Sequence, residues 1–353
     1  EIATQIEDLG ASLSSFAGRN SFGLQAQGLT QDRDAVAAIF ADCLLHPVFP
    51  EEEFEKQRAI QIAGIQQQRE QPMFLAQEKM RAALYPQHPY RLNTSGTKSS
   101  VEGLDRAGVE AQFLKHVKSG NVALAIFGDI TAAEAKALME KHFAAMPEGS
   151  APERVATENK PVLPARVTQT EPKSQAILLV GFPGVDIRDP RQEALNILQR
   201  AMSGLSSDIG IEVREKRGLV YYVGSFQQAG VDPGMFVCYA GTRAEVVGEV
   251  EGLMSNEIRR VTVDGLRDEE FNRGREQILA GYEMGLQNNA DLAQSCALNE
   301  LYGLGWQYTF DLPKRVNALT RDQVRDAAAS ILDPARQVVS ILMPEETPTE
   351  ETP

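Results

Sequence analysis

Apolar residues recur every three to four positions through most of this chain, and the runs break at Gly, Pro or Asn/Asp clusters. Residues 1–9 read as the end of a helix, with Ile2, Ile6 and Leu9 on one side and Gly10 closing it. Residues 11–29 alternate, with Gly18-Arg-Asn20 as the turn of a two-stranded hairpin. Helical periodicity then marks 32–45, 51–70, 72–84 and 104–117, with Glu51-Glu-Glu53 in a first turn where the helix dipole favours acids. A strand is expected over 122–127. A helix follows Thr131, because Thr131-Ala-Ala-Glu134 has the spacing of a capping box. Residues 147–164, rich in Pro, Glu, Ala and Ser, have no period and read as a linker.

Beyond the linker, strands are expected at 166–170 and 175–182, and a helix at 190–202. The stretch 203–225 reads as turn, short helix, Gly218 stop and strand, followed by a strand at 234–239. Thr242-Arg-Ala-Glu245 has capping-box spacing and is expected to start a helix to about 258. Further helices are expected at 268–287, 290–302 and 320–331, and a last strand at 337–342. The acidic, Pro-rich end, 345–353, has the composition of a disordered tail.

The two parts repeat one another. Residues 52–85 align with 269–302 at a constant offset of 217, with 11 identities in 34 positions; Glu52-Glu-Phe54 falls on Glu269-Glu-Phe271, and Leu75-Ala-Gln77 on Leu292-Ala-Gln294. Leu104, Arg106 and Val109 match Leu319, Arg321 and Val324 at an offset of 215. An ungapped match of that length indicates a tandem duplication. The expected domains are 1–146 and 165–344, joined by 147–164. A complete first copy would start roughly 50 residues before Glu1, so its first strands and the helix matching 191–202 are missing from this sequence.

Composition narrows the function. With 35 basic and 49 acidic side chains the chain carries a net charge of −14, which disfavours a nucleic-acid partner. No apolar run is long enough to cross a bilayer, and no signal peptide is visible. Cys43, Cys238 and Cys296 are scattered, so no disulfide framework is expected; this suits the cytoplasm, or an exported protein that does without disulfides. His46, His88, His116 and His142 are isolated, without the i, i+4 spacing of a helical zinc site. Gly204-Leu-Ser206 lacks the second glycine of a nucleophile elbow, and no phosphate or dinucleotide loop is present.

What remains is Val213-Arg-Glu-Lys-Arg-Gly-Leu-Val-Tyr221. Arg214 lies near a helix end and Tyr221 seven residues on, in the returning strand, where a guanidinium and a phenol can both reach one carbonyl oxygen. The plainer reading is a helix-to-strand connection with a surface Arg and a half-buried Tyr. Strand alternation places Tyr222 on the opposite face from Tyr221.

This segment, the duplicated domain and stretches such as Ala83-Leu-Tyr-Pro-Gln-His-Pro-Tyr90 resemble the pitrilysin/insulinase-type zinc peptidases. That superfamily also includes the mitochondrial processing peptidases and the core proteins of the respiratory bc1 complex. The resemblance covers nearly the whole chain. It implies an α+β fold in each domain, a mostly antiparallel sheet covered by helices, with two such domains forming half of a clam shell around a peptide chamber. It implies that one half holds zinc through His-x-x-Glu-His and a further Glu, while the other half supplies an Arg and a Tyr seven apart. Arg214, Gly218 and Tyr221 match that Arg/Tyr segment. The first zinc motif would fall upstream of Glu1. Gly64 and Gln57 stand where the resemblance places glutamates, so no metal is expected in this chain. The implied function is therefore the non-zinc subunit of a two-subunit peptidase, working beside a homologous zinc-bearing partner on peptide substrates. The alternatives are a non-catalytic, peptide-binding scaffold like the core proteins and a self-sufficient zinc peptidase, which Gly64 disfavours. For compartment, the resemblance to bacterial two-subunit relatives implies the periplasm.

Overall fold

The computed structural model describes residues 2–154, 157–204 and 207–345. The first part contains α1 (Ile2–Asp8), the hairpin β1 (Ser12–Ala17) and β2 (Phe22–Gln27), α2 (Arg33–Leu45) and α3 (Glu51–Arg69). It continues with α4 (Pro72–Leu84), α5 (Lys98–Glu102), α6 (Arg106–His116) and α7 (Ala132–Phe143). Then come β3 (Ala165–Glu171), β4 (Ala176–Pro183), α8 (Gln192–Ala201) and the short α9 (Asp208–Gly210), which runs into a π-helix, Ile211–Lys216. After these lie β5 (Val220–Gln228), β6 (Met235–Thr242), α10 (Val247–Val263), α11 (Asp268–Gly285) and α12 (Asn289–Leu301). The last elements are α13 (Leu312–Asn317), α14 (Arg321–Ile331) and β7 (Val338–Pro344). Ser206 and the tail from 346 on lie outside the described residues.

The fold is α+β. β4 is apolar along nearly its whole length because it is central, in the order β3-β7-β4-β6-β5, and buried on both faces. Its neighbours β6 and β7 run antiparallel to it; only β3 and β7 pair in parallel. One face of this sheet packs on α4, where Leu75, Met80 and Leu84 meet Ile177, Leu179 and Leu342. Gly181 permits the close approach: a Cβ there would lie 2.4 Å from the Met80 sulfur. The Ser340 hydroxyl donates to the Ala76 carbonyl at 2.9 Å, satisfying a polar group inside this interface.

Packing cuts across the sequence partition at 1–146 and 165–344. The chain forms two compact units, one of Glu1–Ala63, Thr97–Val155 and Gly281–Leu312, the other of Gly64–Gly96, Ala156–Ala280 and Pro313–Pro353. So α4, from the first repeat, covers the sheet of the second, while α12, from the second repeat, packs with β2 in the first unit. The described residues of the linker form neither helix nor strand, yet they are pinned near both ends. Gly120 N–H donates to the Gly149 carbonyl at 2.8 Å in one unit, and the Asn159 amide donates to the Leu84 carbonyl at 2.7 Å in the other.

Two expectations are corrected. Residues 122–127 are not a strand: no strand flanks them among the described residues, and a strand needs a partner to satisfy its backbone. The second capping box does not form. Thr242 is taken into β6, and its hydroxyl donates to the Leu219 carbonyl at 2.6 Å instead of capping a helix.

The Thr131–Glu134 box does form. Glu134 accepts from the Thr131 N–H at 2.9 Å and the Thr131 hydroxyl at 2.7 Å, and pairs with Arg33 at 2.8 Å. The Thr131 backbone bond first, then the Thr131 hydroxyl and Arg33, bring its carboxyl down to about 2 from the usual 4.5. A carboxyl that titrates lower in the folded chain stabilises it fully above pH 4.5, and that contribution is lost as pH falls towards 2. Glu134→Gln should therefore flatten the stability–pH curve in that window and leave its shape above it unchanged, as read by urea unfolding at several pH values.

Candidate functional site

The candidate site is the connection from the π-helix into β5. Val213 is fully buried and anchors the helix, while Arg214 is exposed. Gly218 takes a left-handed conformation, φ +60°, which a side chain would strain. The helix end is closed by two backbone bonds, Gly218 N–H to the Arg214 carbonyl at 3.1 Å and Leu219 N–H to the Val213 carbonyl at 2.8 Å. The Thr242 hydroxyl holds the Leu219 carbonyl from the neighbouring strand. This is a rigid turn by hydrogen bonding alone.

The same turn occurs in the first repeat without the irregularities. There Gly10, φ +58°, follows α1, with Gly10 N–H bonded to the Glu7 carbonyl and Ala11 N–H to the Ile6 carbonyl. Val213 and Ile6 are equivalent by these bonds, and so are Arg214 and Glu7. The second repeat has one more residue between bond partners, the extra residue of the π-helix. It has a further irregularity just after the glycine. The β5–β6 register shifts between Val220 and Tyr222, so Tyr221 sits in a β-bulge. Bulges and π-turns re-aim side chains at local energetic cost, and both concentrate at functional sites. Here one lies under Arg214 and the other at Tyr221.

Tyr221 is 53% exposed. Among the described residues, neither its hydroxyl nor the Arg214 guanidinium has a hydrogen-bonding or ion-pairing partner. The neighbouring cations are committed elsewhere: Lys216 and Arg217 both pair with Glu212, at 3.2 and 2.8 Å. The bulge also interrupts the alternation expected for Tyr222. The Tyr222 ring lies across Gly241 on β6, where a Cβ would come within 2.3 Å of its Cζ. Burial, and then Tyr239, push the Tyr222 phenol above its usual range. The structure thus places Arg214, Gly218 and Tyr221 on one turn. Periodicity carries no signal for the bulge or the π-turn, because each is a single extra residue.

An ion-pair network supports the turn from below. Arg260 on α10 binds Glu257 at 2.8 Å and Glu270 at 2.7 Å, and approaches Asp208, at the start of α9, at 3.8 Å. Arg267 also binds Asp208, and its backbone N–H donates to Glu270 at 2.7 Å. The Glu257 hydrogen bonds first, then those of Glu270, raise the Arg260 pKa above its already high ordinary value. Asp208, Glu257 and Glu270 are the one group of three potential metal ligands among the described residues, but the two guanidinium groups occupy their oxygens.

The zinc chemistry implied by the fold family does not fit the residues present. Gln57 and Gly64 lie on one exposed face of α3, seven residues apart. Gln57 is neutral, and Gly64 has no side chain, with open space where its Cβ would be. The histidines stay apart: His46 pairs with Asp42, His88 with Asp232 and His142 with Asp34, while the His116 ring contacts Gln112. No helix among the described residues is long and apolar enough to cross a membrane.

Comparison with known proteins identifies the family. Residues 1–98 match the family model described as insulinase (peptidase family M16), and residues 103–278 the model described as the peptidase M16 inactive domain. An uncharacterized zinc protease of Streptomyces coelicolor is 25% identical over 351 residues, covering 98% of this chain and 76% of its own length. An uncharacterized zinc protease of Bacillus subtilis, YmxG, is 23% identical over 334 residues, covering 94% and 80%. The crystal structure of a peptidase M16 inactive domain from Pseudomonas fluorescens superposes with a TM-score of 0.85 at 26% identity, over 97% of this chain and 83% of that one. A chain of complex III2 from Candida albicans shares the fold, with a TM-score of 0.79 at 16% identity over 97% and 86%. With both models matched in tandem across most of its length, the chain belongs to the M16, or insulinase, family of peptidases.

Proposed function

We propose that this chain is the non-zinc subunit of a two-subunit metallopeptidase, in which Arg214 and Tyr221 bind the peptide and stabilise the oxyanion formed opposite a homologous zinc-bearing partner. The observation that carries this reading is the pairing of two one-residue irregularities with two unpartnered polar side chains. The fold makes the same turn in the first repeat with Glu7 and Leu13 at the matching positions, so packing does not require an Arg and a Tyr there. A guanidinium and a phenol on a rigid turn are preorganised donors, which need no reorganisation when charge develops on a carbonyl oxygen. The zinc in the partner would polarise that carbonyl and activate water; this chain's residues hold the peptide and donate hydrogen bonds.

The chain alone is expected to cleave nothing and to hold no zinc after dialysis, since Gln57 and Gly64 offer no anionic donor at the 2.0–2.2 Å or so that zinc requires. Mixed with a homologous subunit carrying His-x-x-Glu-His, it should give chelator-sensitive cleavage of unfolded peptides. Stoichiometric zinc with peptidase activity in the chain by itself would sink this reading. A mixture in which Arg214 and Tyr221 are both dispensable would favour a scaffold role, for which the fold shared with a complex III chain is the precedent.

A further inference from the structure

Tyr221 is the extra residue of a bulge on an edge strand, and a bulge stays in one place only where its flanks are held. Side chains hold both flanks of this one. On the near side, Leu219 is buried just before β5 begins, and no backbone N–H among the described residues reaches its carbonyl. Thr242, fully buried at the end of β6, donates its hydroxyl there at 2.6 Å. Arg243 donates more weakly to the preceding Gly218 carbonyl, at 3.4 Å. On the far side, Ser225 turns its backbone to the outer edge of the sheet. The Ser203 hydroxyl accepts from the Ser225 N–H at 3.0 Å and donates to the Ser225 carbonyl at 3.0 Å. Gln199 on α8 donates to the same carbonyl at 2.8 Å. Two side chains thus supply the bonds that a further strand would make, and they blunt the edge at that point.

Between the flanks the register is keyed as well. Tyr222 stands opposite Gly241, and Tyr239 opposite Gly224. Each tyrosine reaches the place where its partner's Cβ would be. A Cβ at Gly241 would lie 2.3 Å from the Tyr222 Cζ, and one at Gly224 2.8 Å from the Tyr239 oxygen. A slip of one residue would set Tyr222 against Thr242 or Ala240, which carry the Cβ that the ring excludes. The β1–β2 pair shows the other arrangement. It starts with Ser12 opposite Gln27 and keeps one register to Ala17 opposite Phe22, without a bulge. With Gly10 matched to Gly218, Gln27 and Gly28 stand there in the places of Thr242 and Arg243, so the hydroxyl and the bulge occur together.

We propose that Thr242 and Ser203 are positioning residues for Tyr221, the two fixed points between which the bulge holds the phenol at one spot relative to Arg214. The proposal rests on the Arg214/Tyr221 reading and adds to it two residues that act through Tyr221 itself. Thr242→Val keeps the shape of the side chain and withdraws the donor, so the buried Leu219 carbonyl must move to find another partner. That movement starts two residues before Tyr221. A group displaced by about 1 Å from its place in the transition state can lose about 10²-fold in rate.

In a complex with the zinc-bearing subunit, Thr242→Val should lower kcat by about 10–100-fold and leave KM within about threefold, since Arg214 still binds the peptide. Ser203→Ala should act in the same direction but less, because Gln199 keeps its bond to the Ser225 carbonyl. Thr242→Ser retains the hydroxyl and should recover most of the turnover. Added to Tyr221→Phe, Thr242→Val should cost less than about threefold more, because its effect passes through the hydroxyl already removed. In the chain alone, Thr242→Val should speed amide exchange at 219–223 at least about tenfold while β4 and β7 keep their rates, which separates a loosened bulge from unfolding. If Tyr221→Phe lowers kcat and Thr242→Val does not, the proposal is overturned and the Arg214/Tyr221 reading stands. Full activity of Tyr221→Phe would overturn both. Losses from the two variants that multiply would assign Thr242 to general stability and overturn its positioning role.

Discussion

Tyr221→Phe, assayed in a complex with the zinc-bearing subunit, is expected to lower kcat by about 10²–10³ while leaving subunit association nearly unchanged. The substitution removes one hydroxyl and keeps the ring. The ring is half exposed in a bulge, so its packing contributes little, and the lost hydroxyl has no partner among the described residues whose loss could affect folding. Any large effect then has to arise in the complex. Arg214→Ala should raise KM and lower kcat together, because a charged contact that fits a carbonyl in the ground state and the transition state is removed. Arg214→Lys should restore part of the binding but less of the turnover, since an ammonium lacks the planar fork of the guanidinium. Tyr222→Phe is the control. Its ring lies over Gly241 and stays there in the variant, so turnover should hardly change. Equal losses from both tyrosines would mean that the strand, and not the Tyr221 hydroxyl, matters.

Most of the longer helices were legible because apolar residues recur at helical spacing between marked ends; α5 and α13, of five and six residues, are too short to show a period. The Thr131–Glu134 box is an example: local chemistry decides it, and nothing distant competes. At Thr242 the same spacing misleads, because β6 extends one residue further and the Leu219 carbonyl claims the hydroxyl. The strand expected at 122–127 shows the other limit. Its residues have strand character, but ladder bonds depend on neighbours far away in sequence, and here no neighbour is present among the described residues. Periodicity also cannot say which sheet a helix covers. The Leu75-Ala-Gln77 and Leu292-Ala-Gln294 helices look alike, yet each packs on strands of the other repeat. For the site, residue type and spacing singled out Arg214 and Tyr221. The π-turn and the bulge that present them are insertions of one residue, and a single insertion disappears within the tolerance of any periodic pattern.

Arg260→Ala should cost about 3–5 kcal/mol of stability. Arg260 is the hub on which three carboxylates converge, with oxygens of Asp208, Glu257 and Glu270 within 4.8 Å of one another. The Glu270 side chain is 2% exposed, so it has almost no access to water if its cation is removed. Arg267 remains, but its guanidinium is already committed to Asp208 and stands 3.4 Å from Glu270. The variant therefore keeps a buried charge with one backbone donor and a cation, 3.4 Å away, that it shares with Asp208, beside two like charges. That desolvation cost sets the size of the effect. A loss of this order is a large share of the 5–15 kcal/mol or so that holds an ordinary domain together. Arg260→Ala combined with Glu270→Gln should recover part of it, because the buried charge disappears with its partner, and a double-mutant cycle from urea unfolding measures the coupling. Because Asp208 begins the helix that carries Arg214, the single variant should also weaken peptide binding by the complex under conditions where it remains folded. A loss below about 1 kcal/mol, the range of an exposed pair, would show that water screens the network and that the turn does not depend on it.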